Sequence, residues 1–231
     1  MRYIYRNLET VVKQVTKEYP VVLLTGPRQV GKTTMLQKLM EDTNRGYVSL
    51  DDLNERNLAK TDPELFLQLH KPPILIDEVQ YAPELFTYIK MNVDKNHEAG
   101  AFWLTGSQIF KLMRGVQESL AGRVAVLSMT TLSQSELSNG KIEPFKVDLE
   151  SLVNRKTERI QADTKEIFQR IYKGSMPAIV SGANSNSNIF YSSYLSTYIE
   201  RDVKELSESI DSLKFMRFMT AVAARCSQML N

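Results

Sequence analysis

The stretch "GPRQVGKT", Gly26 to Thr33, sets two glycines, a lysine and a hydroxyl at the spacing G-x-x-x-x-G-K-[ST]. Each residue type has a task around a phosphate group. Gly26 and Gly31 let the backbone turn sharply and approach a pyrophosphate, so that successive N–H groups point inward at the anion. A helix opening near Lys32 adds its partial positive end. Lys32 would reach the outer phosphate oxygens, and the Thr33 hydroxyl would ligate the Mg²⁺ that a nucleoside triphosphate brings. Gly26, Pro27, Arg28, Gln29, Val30, Gly31, Lys32, Thr33 and Thr34 together form the expected nucleotide-binding loop.

A second stretch, "PPILIDEVQ" (Pro72 to Gln80), runs four apolar residues straight into Asp77 and Glu78. Asp77 at the strand end is placed to hold Mg²⁺ partly through water, and Glu78 to orient and polarise an attacking water. Two solvated acids at a strand end are the plainer alternative. A third stretch, "AFWLTGSQ", brings Thr105, Ser107 and Gln108 to the end of another apolar run. Ser107 or Gln108 could sense a terminal phosphate there, since carboxyl ends of strands form the ligand crevice of open α/β sheets. A simple polar loop would read the same way.

These segments need elements to position them. Leu8, Val11, Val12, Val15 and Tyr19 fall at helical spacing, and Pro20 ends that pattern before "VVLLT" (Val21 to Thr25). Further apolar runs follow at "GYVSL" (Gly46 to Leu50), "PILI" (Pro73 to Ile76), "AFWLT" (Ala101 to Thr105) and "VAVLSM" (Val124 to Met129). They are near-continuous rather than alternating, as strands buried on both faces are. Amphipathic stretches lie between them, for instance Leu85, Phe86, Ile89 and Val93 after Pro83. Strand and helix in alternation predict a parallel α/β sheet.

From about Ser133 the pattern changes. "ELSNGKIEPFKVD" and "SGANSNSN" read as connectors, and the remaining periodicity is helical: Ile167, Phe168, Ile171 and Tyr172, then Tyr194 to Leu206, then Phe215 to Val222. The expected organisation is a core over residues 1–138, a connector over 139–163 and a small helical lid over 164–231.

Bulk properties narrow the class. The 231 residues carry a net charge of +2, so no global polybasic character points to nucleic acid. One cysteine, Cys226, excludes an internal disulfide, and two histidines, His70 and His97, argue against a transition-metal site built by the protein. The longest apolar runs fall far short of the roughly 20 residues that span a bilayer, and the first residues lack a signal-peptide core. The expected setting is the cytoplasm, with no membrane partner.

The chain resembles the prokaryotic ATP-binding proteins of the AAA+ superfamily in which a P-loop core precedes a C-terminal domain of unknown function. The resemblance rests on "LTGPRQVGKTT", "VSLDD", "ILIDEVQ", "LTGSQ", "ESLAGRVAVL" and "YLSTYIERDV", in that order. It implies a five-stranded parallel sheet with the P-loop strand central, ATP and Mg²⁺ as ligands, and hydrolysis as the reaction. It also implies continuation beyond "RCSQMLN" into a winged-helix-like segment and a restriction-endonuclease-like domain, so that the chain reads as truncated. Many AAA+ proteins place Asn at the first sensor, where this sequence has "GSQ".

Hydrolysis at such loops is slow until a cation neutralises charge on the transferring phosphoryl group. Arg28 sits on the loop's rim, Arg114 and Arg123 precede the last strand, and Arg201 lies in "YIERDV", where either an i to i+4 pair with Glu205 or a lid contact to nucleotide is open to it. Arg123 follows a glycine at the amino end of its strand, opposite the ligand edge. That position suits either a neighbouring subunit's nucleotide, in a homo-oligomer acting in trans, or a structural pair with an acid. The functional expectation is an ATPase that works as a nucleotide-driven switch on an attached or partner module. The alternatives are an ATP-dependent DNA-binding or DNA-processing protein, with the basic run "VNRKTERI" as weak support, and a small-molecule kinase, which Glu78 disfavours.

Overall fold

The computed structural model of the chain describes residues 3–107, 112, 115–116, 118–138, 146–157, 163–204, 210–226 and 228. Five strands form one sheet: β1 (Val21–Thr25), β2 (Gly46–Ser49), β3 (Ile74–Asp77), β4 (Phe102–Gly106) and β5 (Val124–Ser128), in the order β2-β3-β4-β1-β5. Every pairing is parallel. Parallel neighbours need long crossovers, and helices supply them: α2 (Lys32–Met40), α3 (Leu53–Thr61), α4 (Pro63–Leu69) and α5 (Leu85–Asn96), after an N-terminal α1 (Leu8–Val15).

The expectation of strands buried on both faces holds for β1, β3 and β4, every residue of which is buried. It fails at the two edges. Tyr47 on β2 and Val126 on β5 are exposed, because an edge strand has a neighbour on one side only. The P-loop strand β1 lies inside the sheet between β4 and β5, while β4 is the middle strand. All four apolar positions expected on α5, Leu85, Phe86, Ile89 and Val93, are buried against the sheet, in a core that includes Phe66, Phe102 and Leu104. Helix α1 stops at Val15 rather than reaching Tyr19. The Thr16 hydroxyl folds back onto the Val12 carbonyl at 2.6 Å and accepts the Trp103 indole N–H at 3.0 Å, fixing the chain where it leaves the helix.

Register places the ends of three adjacent strands together. Thr25 stands opposite Gly106, and Ile76, one residue before Asp77, stands opposite Leu104. The loops after β1, β3 and β4 therefore leave from one edge of the sheet, which is the edge where α/β folds bind ligands.

The chain divides into two compact bodies, one ending at Ser181 and one beginning at Gly182. The expected boundary at Thr164 falls inside the first body. Helices α6 (Gln134–Leu137), α7 (Leu149–Thr157), α8 (Thr164–Lys173) and α9 (Pro177–Val180) follow the sheet. The segment after α8 is tied back to the core where Leu132 N–H donates to the Ser175 carbonyl at 2.9 Å and the Ser175 hydroxyl to Thr131 Oγ1 at 2.9 Å. The stripe Ile167, Phe168, Ile171 and Tyr172 is helical as its spacing predicts, but all four residues are exposed. In the second body, α10 (Ser187–Tyr198) runs into a π-helical turn (Ile199–Val203) that buries Ile199 and Val203, and α11 (Ser212–Ala224) opens on Asp211, whose carboxylate accepts from Leu213 N–H and Lys214 N–H. Among the described residues no helix is long and apolar enough to cross a membrane.

Candidate nucleotide site

The loop between β1 and α2 has the backbone that its glycines predict. Gly26 has φ of 140°, and a Cβ there would stand 2.1 Å from the Met129 carbonyl oxygen. Gly31, the residue that caps α2, sits in the left-handed region at φ 95°. No other residue type tolerates the Gly26 position without displacing the chain after β5. Gly26→Ala is therefore expected to destabilise the protein by about 2–4 kcal/mol, read as a lowered urea midpoint. An unchanged midpoint would show that the loop closes differently.

Lys32 is buried at the first position of α2, where its ammonium donates to the Gly26 and Pro27 carbonyls at 2.9 Å each. The cation is thus held inside the ring of the loop rather than extended into solvent. Arg28 is half-buried, while Pro27, Gln29 and Thr34 are exposed and Val30 is fully buried beneath the loop.

The acids arrive from β3. Asp77 is buried, and its Oδ1 accepts the Thr33 hydroxyl at 2.7 Å and also the Thr105 hydroxyl. The loop threonine and the strand-end carboxylate thus share one point, which is the arrangement a hard divalent cation needs. Thr105 Oγ1 in turn accepts the Glu78 backbone N–H at 3.2 Å, so one hydroxyl braces both acids. Glu78 lies in the left-handed region at φ 56°, a strain of about 1–2 kcal/mol for a residue with a side chain. That kink ends the strand and turns the Glu78 carboxylate toward β4. There its Oε2 accepts the Gln80 side-chain N–H and the Ser107 hydroxyl, the latter at 3.3 Å. The expected sensor Ser107 is thus in contact with the expected base. Gln108 and Arg114 lie outside the described residues.

Arg123 sits at the amino end of β5, beside Val124, which pairs with Val21 at the start of β1. The P-loop leaves from the far end of β1, so Arg123 does not reach this chain's own nucleotide loop. Its guanidinium forms a forked pair with Asp94 of α5, Nε on Oδ1 at 2.5 Å and Nη2 on Oδ2 at 3.0 Å, and donates to the Ala121 carbonyl. The guanidinium's hydrogen bonds hold the Asp94 carboxyl below its ordinary range. A contact from Arg123 to a neighbour's nucleotide would require this pair to open. Arg201 is exposed in the second body, and Glu205 lies outside the described residues. The basic run from Val153 begins on α7, and its residues 158–160 lie outside the described residues.

One strut of the site has no local sequence signal. Arg6 is buried, and its guanidinium donates to the Val30 carbonyl at 2.8 Å, the Thr130 carbonyl at 2.8 Å and Glu136 Oε1 at 3.0 Å. It therefore pins the underside of the phosphate loop to the chain after β5. Glu136 also accepts the backbone N–H groups of Ser133 at 2.7 Å and Asn7 at 2.9 Å, closing a capping box on α6. Burial works against the charged carboxylate, but these N–H donors and Arg6 outweigh it and hold its pKa below the ordinary 4.5. Removing one partner leaves a buried charge uncompensated, so Arg6→Ala is expected to cost about 3–5 kcal/mol. Because the folded pKa is depressed, the Glu136 contribution is complete above about pH 4.5 and fades as pH falls through its folded value. Melting curves of the protein and of Glu136→Gln should therefore converge in acid. Parallel curves would show that Glu136 carries no such linkage.

Behind the loop lies a cavity of about 150 Å³, lined by Tyr3, Ile4, Val30, Gly31, Leu132 and Pro177 among others. Its Tyr3 hydroxyl is committed to Glu9 Oε1 at 2.6 Å, and burial pushes that phenol's pKa up. The sequence reading missed this cavity because its walls come from both ends of the first body.

A model of the AAA domain family matches residues 18–138, just over half of the chain. The chain belongs to the AAA domain family. A second model, a domain of unknown function (DUF8612), matches residues 164–231 of this AAA protein. Uncharacterized proteins of Mycobacterium tuberculosis and Mycobacterium bovis are each 27% identical over 219 residues, covering 94% of this chain and 44% of the relative. The AAA chain thus spans less than half the length of these curated relatives. Among solved structures, a Walker-type ATPase of Pyrococcus abyssi is similar with a TM-score of 0.52 at 16% identity, over 89% of this chain and 75% of that one. That likeness is one of fold.

Proposed function

We propose that this AAA protein binds ATP with Mg²⁺ on the loop Gly26–Thr34 and hydrolyses it to ADP and phosphate, driving a switch that regulates an attached or partner module. The observation that carries the reading is the 2.7 Å contact of Thr33 Oγ1 with Asp77 Oδ1, next to the strained Glu78. Two oxygens that meet from the helix start and the strand end fit Mg²⁺, which takes one or two protein ligands and completes its shell with phosphate and water. Among the described residues no group of three or more His, Cys, Asp or Glu converges on a metal site. When bound, that cation would neutralise charge on the β- and γ-phosphates.

The chain's own groups do the rest. Loop N–H groups and the start of α2 hold the phosphates, and Lys32 exchanges its two carbonyl acceptors for phosphate oxygens. The apolar cavity beside Val30 and Gly31 is of a size and polarity to take the flat face of a base, with Tyr3 and Pro177 as walls. Glu78 accepts a proton from the attacking water, and Ser107 is placed to shift its hydroxyl from Glu78 to a terminal phosphate oxygen. Supplied with γ-labelled ATP, the protein is expected to transfer label to water. Label appearing on any other acceptor would turn the reading toward a kinase.

A further inference from the structure

The sequence motif "ILIDEVQ" ends on Gln80, a residue to which the hydrolysis reading gives no task. Yet Gln80 is buried beside the two acids, on the 3-10 turn Val79–Tyr81 that follows the Glu78 kink. Its Nε2 donates to Glu78 Oε2. The orientation of this amide is dictated by its partner, because an ionised carboxylate only accepts and so only the NH₂ end can face it. The amide oxygen is then turned away into the interior, where Gln80 Oε1 is buried with no hydrogen-bond partner among the described residues. It occupies the space that a side chain at position 106 would need: a Cβ on Gly106 would lie 2.5 Å from Oε1.

A buried carbonyl without a donor is destabilising, and a methionine of similar length would fill the same space without that cost. A residue kept only for packing would not present such an oxygen. The donor on the other end of the amide has a clear effect. The Glu78 backbone is fixed by its left-handed kink and by Thr105, but the carboxylate still rotates about the side chain's own bonds. Ser107 is a second donor to the same oxygen, Oε2. If the Ser107 hydroxyl turns to a terminal phosphate, as proposed above, Gln80 is the remaining donor among the described residues that keeps Oε2 in place, leaving Oε1 to face the water.

We infer that Gln80 is a positioning residue for hydrolysis: it fixes the Glu78 carboxylate for the attacking water, at the expense of a buried unsatisfied amide oxygen. The inference rests on Glu78 acting as the base. A carboxylate free to swing by an ångström or so loses about 10- to 100-fold in rate.

The test is Gln80→Met in the full chain, with steady-state ATP hydrolysis, ATP affinity and melting temperature measured together beside the unsubstituted protein and Glu78→Gln. The expected result is a kcat lowered about 10- to 100-fold with KM and affinity unchanged and a melting temperature equal or higher. This divergence of activity from stability is what a packing role would not produce. If the unsubstituted protein hydrolyses ATP, Glu78→Gln does not and Gln80→Met keeps full kcat, the positioning role is overturned while the base assignment stands. If melting temperature, affinity and kcat fall together, Gln80 is structural and the inference is overturned. If Glu78→Gln hydrolyses ATP normally, the base assignment itself fails and this inference falls with it.

Discussion

Lys32→Ala is expected to lose ATP affinity by about 100-fold or more, with the fold retained. The lysine is the one loop side chain that is both cationic and buried at the start of α2, and its ammonium already sits between two loop carbonyls at 2.9 Å. Those neutral acceptors hold it within the ring, so a phosphate that enters meets a charge already in place rather than one that must be drawn from solvent. The alanine variant loses the charge together with the bonds that close the loop. A small fall in melting temperature is therefore expected, because the Gly26 and Pro27 carbonyls lose a donor. Isothermal titration with ATP and Mg²⁺ separates the two effects. Unaltered affinity in a folded variant would remove the loop from the account.

Glu78→Gln is expected to bind ATP as before and to lose about 10²- to 10⁴-fold in turnover. The amide is close in shape, and its oxygen can still accept from Gln80 and Ser107, so the geometry around Oε2 survives. What it cannot do is accept a proton from water at neutral pH. The effect should therefore appear in kcat and not in affinity, as expected for an interaction made only on the way to the transition state. Single-turnover measurement of ADP formation checks this directly.

The two variants act on parts that were unequally legible in the sequence. The glycines, Lys32 and Thr33 declare themselves because phosphate binding needs those residue types within one turn of chain, and the run from Ile74 to Asp77 shows a buried strand ending in an acid. All five strands were visible as apolar runs, with ends shifted by at most one residue. The edge positions of β2 and β5 were not visible, since strand order is a property of the crossovers and not of any one run. Thr105 was readable as a polar strand end, but its bond to Asp77 depends on the parallel register of β3 and β4. Arg6 and Glu136 are 130 residues apart, and a lone arginine before a helix gives no sign that it will be buried under the phosphate loop. Arg123 illustrates the opposite case. Its position at the amino end of β5 was readable, and that left a distant nucleotide or a nearby acid as its partner; Asp94 supplies the acid.

The apolar stripe on α8 marks where periodicity stops being informative. The spacing of Ile167, Phe168, Ile171 and Tyr172 specifies a helix, and a helix is present, but spacing does not say what covers its face.

The most direct test of the central claim is the release of phosphate from ATP by the full 231-residue chain, followed with saturating Mg²⁺ and again with a chelator. The account predicts steady release of ADP and phosphate that depends on Mg²⁺ and is lost in Glu78→Gln. A chain that binds ATP and releases no phosphate, or a Glu78→Gln variant that releases it at the same rate, would contradict it.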